Sequence, residues 1–343
     1  MPTATIDEQG SQIYFIDTGP VNGSNNYTTL FMYHGTAFNG ATFKKLIPLA
    51  PKSNVRLVLV NRRNYLGSTP CSPGDIENII AGRKAVLEQM ALDVAGLLNW
   101  FVNHNDIPRI SEDGKFGGIC ILGWSMGIAT VLSFFGQPGV VGDSTYTRLA
   151  PYIRKLVIYD SPAHALGFDF PPGAYYPFED GPPEDPKAFA YWADTHYTHP
   201  GDVDANDISA LDIQSKRGVR SHTDTLSEAD WESIVQPESA KNDIGIALFG
   251  DMMKLLREQT HRVLFDEQNA KSVIPGLHVV HYVCLATLWS SLYALMQVRS
   301  TREGLIEDGK LLRPYEVVKL PDESHFAHWE APEKFFSALV QAL

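Results

Sequence analysis

The chain has 343 residues, 44% hydrophobic and 20% charged, an ordinary balance for a water-soluble globular protein with one large core or a core plus a subdomain. Its formal net charge of -12 excludes nucleic acid and anionic membrane as natural partners, because neither rewards an acidic surface. Cys71, Cys120 and Cys284 are too few and too scattered for a disulfide framework or a zinc site, and no stretch reads as apolar and long enough to span a bilayer.

The first ten residues are polar and acidic, without the pattern of a secretory signal, so a cytosolic location is expected and the N-x-S/T triplets at Asn22 and Asn26 carry no glycan. Gln12 to Ile16 alternates like an edge strand, and Thr29 to Tyr33 and Arg56 to Val60 are compact apolar runs suited to a sheet interior. Between those two runs Ala41 to Ala50 predicts a short helix stopped by Pro51. Ile76 to His104 predicts one long helix capped by Asp75. Gly118 to Leu122 is the next strand, Ile128 to Phe135 the next helix, and Leu156 to Tyr159 a strand ending at Asp160. Cys120 and Cys284 lie in strand-like runs, where a small buried apolar role is expected of them.

From Ser161 onward the pattern changes. Pro171, Pro172, Pro177, Pro182 and Pro183, among glycines and aromatics, break regular structure. Helical segments are expected near Lys187 to Tyr197, Asn206 to Lys216, Ser227 to Val235 and Ile244 to Glu258, with Ser227 and Asp230 as a capping box. Strand patterns return at Leu277 to Leu285 and Tyr315 to Leu320, and Pro332 to Leu343 closes the chain as a helix. Short apolar runs alternating with longer amphipathic ones predict an α/β protein with a mostly parallel, doubly wound sheet. Residues 1–160 and 277–343 would form the core, and residues 161–276 an inserted helical cap over the strand ends. Tyr175, Tyr176, Phe178, Phe189, Tyr191 and Trp192 of that cap, with Trp124 beneath them, would line an apolar substrate pocket.

The chemistry concentrates at Gly123-Trp124-Ser125-Met126-Gly127, which joins a strand to a helix. Glycines at these positions permit a tight turn that lifts the serine clear of the sheet edge, the arrangement of a nucleophile elbow. A serine hydroxyl needs a neighbouring base. His325, in the loop between the last strand and the last helix, is the best candidate, with His328 as its competitor three residues on. The base needs an acid to fix its tautomer. The strand Leu277 to Leu285 is followed by no carboxylate, whereas the strand before it ends at Asp160, which is therefore assigned as the third member. Asp322 and Glu323 are too near His325 in sequence to reach its far nitrogen. Oxyanion donors are expected from the backbone N–H of Met126 and from the turn after the Thr29 to Tyr33 strand, through Thr36 or Ala37. His34 is expected to be structural, bonded beneath that loop.

These landmarks together resemble the α/β-hydrolase superfamily: His34-Gly35 after one strand, Asn61 to Ser68 after the next, the elbow, and the terminal run His325 to Pro332. The resemblance implies an α/β-hydrolase fold with Ser125 as nucleophile, His325 as base, and Met126 and Thr36 as oxyanion donors. Serine at the elbow sets the chain apart from the aspartate-dependent epoxide hydrolase and haloalkane dehalogenase branches. Members commonly carry the acid after the strand equivalent to Leu277 to Leu285; a subset carries it one strand earlier, as at Asp160. Asp-Glu-Ser precedes His325 where a glycine-bearing turn is usual. The run Tyr159 to Gly167 looks like fungal hydrolases found with secondary-metabolite pathways. The expected activity is hydrolysis of an ester or lactone of a small, largely apolar molecule, with no metal or cofactor. Lactone-forming cyclisation or acyl transfer on the same residues, and a ligand-binding relative without turnover, are the alternatives. A small molecule is the expected partner, and a homo-oligomer is compatible with the sequence.

Overall fold

A computed structural model describes residues 2–177, 186–216, 218, 226–248 and 251–343. Eight strands form one sheet in the order β1-β2-β4-β3-β5-β6-β7-β8. They are β1 (Thr3–Thr5), β2 (Gln12–Asp17), β3 (Thr28–Tyr33), β4 (Val55–Val60), β5 (Ile119–Trp124), β6 (Ile153–Tyr159), β7 (His278–Cys284) and β8 (Tyr315–Leu320). β1 and β2 pair antiparallel, and every pairing from β4 to β8 is parallel. Strands β3, β4 and β5 are buried along their whole length, as a sheet covered on both faces requires.

Side-chain alternation divides the interior. Phe31, Tyr33, Ile119 and Ile121 enter one core, against the helices Ala85–His104, Gly127–Gly136 and Met252–Leu264. Leu30, Met32, Cys120, Leu122 and Trp124 enter the other, against the 3₁₀ segment Gly40–Leu46 and the final helix Pro332–Ala342. Helix Ala85–His104 is long and apolar enough by composition to cross a bilayer, contrary to the sequence reading; half of that apolar window is buried inside the fold.

Strand order reverses at β3: the chain goes next to β4 on one side and only then to β5 on the other. The carboxyl ends of β3 and β5 therefore flank a topological switch point, where connections diverge and leave a crevice for a ligand. Gly35-Thr36 and Ser125 leave the sheet on either side of it.

Besides the single helix expected over Ile244 to Glu258, which falls across the helices Pro237–Leu248 and Met252–Leu264, four elements depart from expectation. Ile76 to His104 is two helices, Pro73–Ile80 and Ala85–His104, separated at Gly82, whose φ is +59°. The first is capped by Ser72, and Asp75 is the third residue of that capping box rather than the cap. Asn206 to Lys216 yields only short 3₁₀ turns, Val203–Ala205 and Ile208–Ala210, because Asp202 and Asp207 cap them locally. Helix Trp289–Glu307 went unanticipated: its buried face includes Ser290, Ser291 and Arg302, so no apolar stripe marks it. The fourth is the insertion. Helix Met252–Leu264 lies on the core helix Gly127–Gly136, with Gln259 Nε2 donating to Ala129 O at 2.9 Å, so the covering part of the insertion ends before Met252 rather than at 276. That covering part contains the helices Pro186–Asp194, Glu228–Ile234 (capped by Ser227, as expected) and Pro237–Leu248.

Candidate active site

The elbow is built by its neighbours. Ser125 has φ +54°, a conformation that L-residues adopt only under constraint, at a cost of about 1–3 kcal/mol. A Cβ at Gly123 would stand 2.5 Å from Ile128 Cα, and one at Gly127 would stand 2.5 Å from the carbonyl oxygens of Tyr33 and His34. Any side chain at either place would push the helix off the strand. A Cβ at Gly35 would meet Ser125 Cβ at 2.8 Å, so the loop after β3 lies directly against the serine. Ser125 N–H donates to Tyr159 O at 3.0 Å, tying the turn to β6.

His325 and Asp160, 165 positions apart, meet in the interior: Nδ1 lies 2.5 Å from Asp160 Oδ2, and both residues are buried. A carboxylate only accepts, so Nδ1 carries the proton and Nε2 keeps its lone pair. Asp160 also has a left-handed backbone, φ +45°. Its Oδ1 accepts from Cys284 N–H at 3.0 Å and its Oδ2 also from the Thr287 hydroxyl, while its carbonyl accepts from Ser291 Oγ at 3.1 Å. The turn after β7, which lacks a carboxylate, thus supplies donors that hold the one arriving from β6. The His325 carbonyl accepts from Trp124 Nε1 at 3.1 Å and Tyr159 Oη at 3.2 Å, anchoring its loop without a glycine.

Ser125 and His325 line a single cleft, with no direct hydrogen bond between them. Catalytic hydrogen bonds are often loose before substrate binds. The cleft walls include Phe38, Trp124, Phe189, Trp192, Leu288 and Phe326. Its cavity volume is about 30 Å³, room for roughly two waters. A larger cavity of about 70 Å³ lies behind the loop after β3, lined by Tyr33, Arg62, Tyr65, Asp93 and Asp243 among others, and touches neither Ser125 nor His325.

The competing assignments resolve through hydrogen bonding. His328 is fully buried, 3.1 Å from Thr42 Oγ1 through Nε2 and 3.0 Å from Tyr159 Oη through Nδ1, so neither nitrogen is available as a base. Glu323 pairs with Lys334 at 2.8 Å, and Asp322 is exposed. His34 lies 2.9 Å from Gly35 O through Nδ1 and accepts Arg62 N–H at Nε2, 3.1 Å away, the structural role expected of it. Ala37 N–H is already donated to Tyr65 Oη at 3.1 Å, whereas the N–H groups of Thr36 and Met126 have no partner among the described residues. Met126 precedes the helix Gly127–Gly136, whose N-terminal dipole favours negative charge at that point.

Two pocket assignments need correction. Trp192 and Trp124 line the cleft, but Tyr175 and Tyr176 do not. Tyr175 is held aside by its backbone, which donates to Ile213 O at 2.7 Å and accepts from Trp289 Nε1 at 3.1 Å. Tyr176 packs one layer back, with its ring 5.2 Å from that of His164. Phe178 and the Tyr191 side chain lie outside the described residues. Sequence reasoning also missed His164 and Pro162 in the cleft wall; four and two residues past Asp160, they could have been found by following the chain out of β6.

A buried ion pair joins the helix Pro237–Leu248 to the turn after β4. Asp243, on helix Pro237–Leu248, pairs with Arg62 at 2.5 Å, and both are buried. Tyr65 Oη donates to Asp243 Oδ2 at 2.5 Å while accepting from Ala37 N–H, and Arg62 Nη2 donates to Gly35 O at 3.0 Å. Gln236 N–H donates to Ala37 O at 2.6 Å and Asn39 N–H to Ile234 O at 2.8 Å. The loop Gly35–Asn39 is thereby hydrogen-bonded to the segment Ile234–Gln236 on one side and to Arg62 and Tyr65, after β4, on the other.

Burial also sets the response to acid. His164 and His281 are pulled down to about 3, and His34 well below its ordinary value, each mainly by loss of hydration. The unfolded chain protonates these rings near pH 6.5 and the folded chain does not, so stability is full above that pH and falls as pH drops towards 3. Each ring contributes up to about 1.4 kcal/mol per pH unit in that window. Urea midpoints measured at pH 7 and pH 5 should differ clearly; equal midpoints would mean that these rings do not stay neutral in the fold.

The architecture is that of the α/β-hydrolases. No family model matches the chain, and no curated protein matches it in sequence. Solved structures do. It is similar to a bromoperoxidase from Bacillus anthracis, at 14% identity and TM-score 0.54 over 99% of this chain and 98% of that one. A peroxisomal α/β-hydrolase from Saccharomyces cerevisiae matches at 12% identity and TM-score 0.52, over 99% and 86% of the two chains. A thermophilic esterase from Thermogutta terrifontis matches at 15% identity and TM-score 0.50, over 99% and 97%.

Proposed function

We propose that the protein is a serine hydrolase that opens an ester or lactone of a small, largely apolar molecule. The observation that carries this reading is the His325–Asp160 pair, buried in the wall of the same cleft as the strained Ser125. Ser125 Oγ attacks the carbonyl carbon while His325 Nε2 takes its proton, and the charge on oxygen is met by the N–H groups of Met126 and Thr36. The leaving alcohol departs with the proton from His325. Water then attacks the acyl-enzyme, gives a proton to His325, and the acid leaves as Ser125 recovers its hydrogen. The aromatic walls favour an apolar substrate because such a cleft buries most of a small ligand.

A fluorophosphonate probe should label Ser125 stoichiometrically in the folded protein, read by peptide mass spectrometry. An unlabelled, folded wild type would end the proposal. Turnover in ¹⁸O-water should place the isotope in the released acid; unlabelled product would assign the second step to an alcohol acceptor instead of water.

A further inference from the structure

His164 sits on the 3₁₀ turn Ala163–Leu166 that follows Asp160, and lines the cleft with Ser125 and His325. It is buried, yet neither ring nitrogen has a hydrogen-bond partner among the described residues, and Nδ1 is sealed from solvent. Its ring neighbours, Phe170 at 5.6 Å and Tyr176 at 5.2 Å, meet it edge to face. His34 and His328 make a contrast: both nitrogens of each are satisfied by the fold. His281 also has an unpartnered nitrogen, but it lies in β7 away from the cleft. A buried polar group without a partner calls for an explanation, and an apolar side chain would fill this place at no cost in hydrogen bonds.

We propose that His164 is a substrate-recognition residue, and that the substrate carries a second polar group, a hydroxyl or keto oxygen, on its apolar body beside the scissile carbonyl. This rests on the acyl-enzyme reading above. Ser125, His325 and the two backbone donors are committed to the reacting carbonyl, which leaves the imidazole for another atom. Burial keeps the ring neutral, so it offers one N–H donor and one lone pair. A hydroxyl complements both and a keto oxygen the first. A site built around such a pair rejects an analogue lacking the oxygen far more strongly than one lacking a methylene, because the ring is then buried again without a partner.

The test uses p-nitrophenyl butyrate and a panel of its derivatives bearing a hydroxyl or keto group at carbon 2, 3 or 4. In the wild type at least one polar ester should exceed the parent ester in kcat/KM by about tenfold or more. In His164→Leu that ratio should fall to about one, with a melting temperature no lower than that of the wild type, and His164→Gln should recover part of the ratio. A wild type indifferent to the polar group, or a preference that survives in His164→Leu, overturns the assignment. So does a His164→Leu variant that melts several degrees lower with all esters slowed alike, which would make the ring structural. Fluorophosphonate labelling on the same preparations separates the two failures. Labelled Ser125 with no preference removes only the role of His164, whereas unlabelled Ser125 removes the hydrolase reading and this inference with it.

Discussion

Ser125→Ala should lower turnover of an activated ester by on the order of 10⁴–10⁶-fold, the range seen when a nucleophile acting as part of a unit is removed. The fold should survive almost unchanged. Alanine strains the left-handed backbone at φ +54° much as serine does, and Ser125 Oγ, in the cleft wall, makes no hydrogen bond among the described residues that would be lost. Steady-state kinetics on p-nitrophenyl acetate together with a thermal melt would decide it. Residual activity above about one part in a hundred, with an unshifted melt, would mean that the reaction does not pass through this hydroxyl.

Asp160→Asn should cost on the order of 10³–10⁴-fold in kcat, with a smaller effect on KM. The reason lies in the number of donors aimed at one carboxylate. Cys284 N–H, the Thr287 hydroxyl and His325 Nδ1 all point at it. An amide keeps one acceptor oxygen, which the fixed backbone donor of Cys284 retains, and turns its NH₂ towards Thr287 and His325. The threonine can rotate its proton away. The imidazole has only one accommodation, which is to accept at Nδ1 and carry its proton on Nε2, where it can no longer deprotonate Ser125. Activity should therefore fall far more than stability, measured by chemical denaturation beside kcat. Near-normal kcat would move the orienting role to another carboxylate.

Much of this arrangement could be read in the sequence because local physics and global fold agree there. The strands β3 to β7 are short runs of buried apolar residues, and the elbow glycines are dictated by backbone contacts under 3 Å that no other residue tolerates. Asp160 can be singled out by elimination because the turn after β7 offers no carboxylate; in the fold Thr287, from that turn, donates to Asp160 instead. The residues of the turn after β3 leave Thr36 and Ala37 open and only the resemblance points to Thr36; in the fold Tyr65, distant by 28 positions, takes the Ala37 N–H. Tyr175 and Tyr176 were misplaced for a related reason. Aromatic composition indicates an apolar cap but not which ring faces inward, and here backbone bonds to Ile213 and Trp289 settle the orientation of the first. Helix Trp289–Glu307 escaped because its buried side includes hydroxyls and a guanidinium, which leave no periodic signal.

The bonds between the loop Gly35–Asn39 and the segment Ser233–Gln236 have a mechanical corollary. Gln236 N–H on Ala37 O and Tyr65 Oη on Asp243 Oδ2 tie the turn that carries Thr36 to residues 233–243, so a displacement of that segment moves the turn with it. Two stretches of chain remote in sequence thus behave as one mechanical piece.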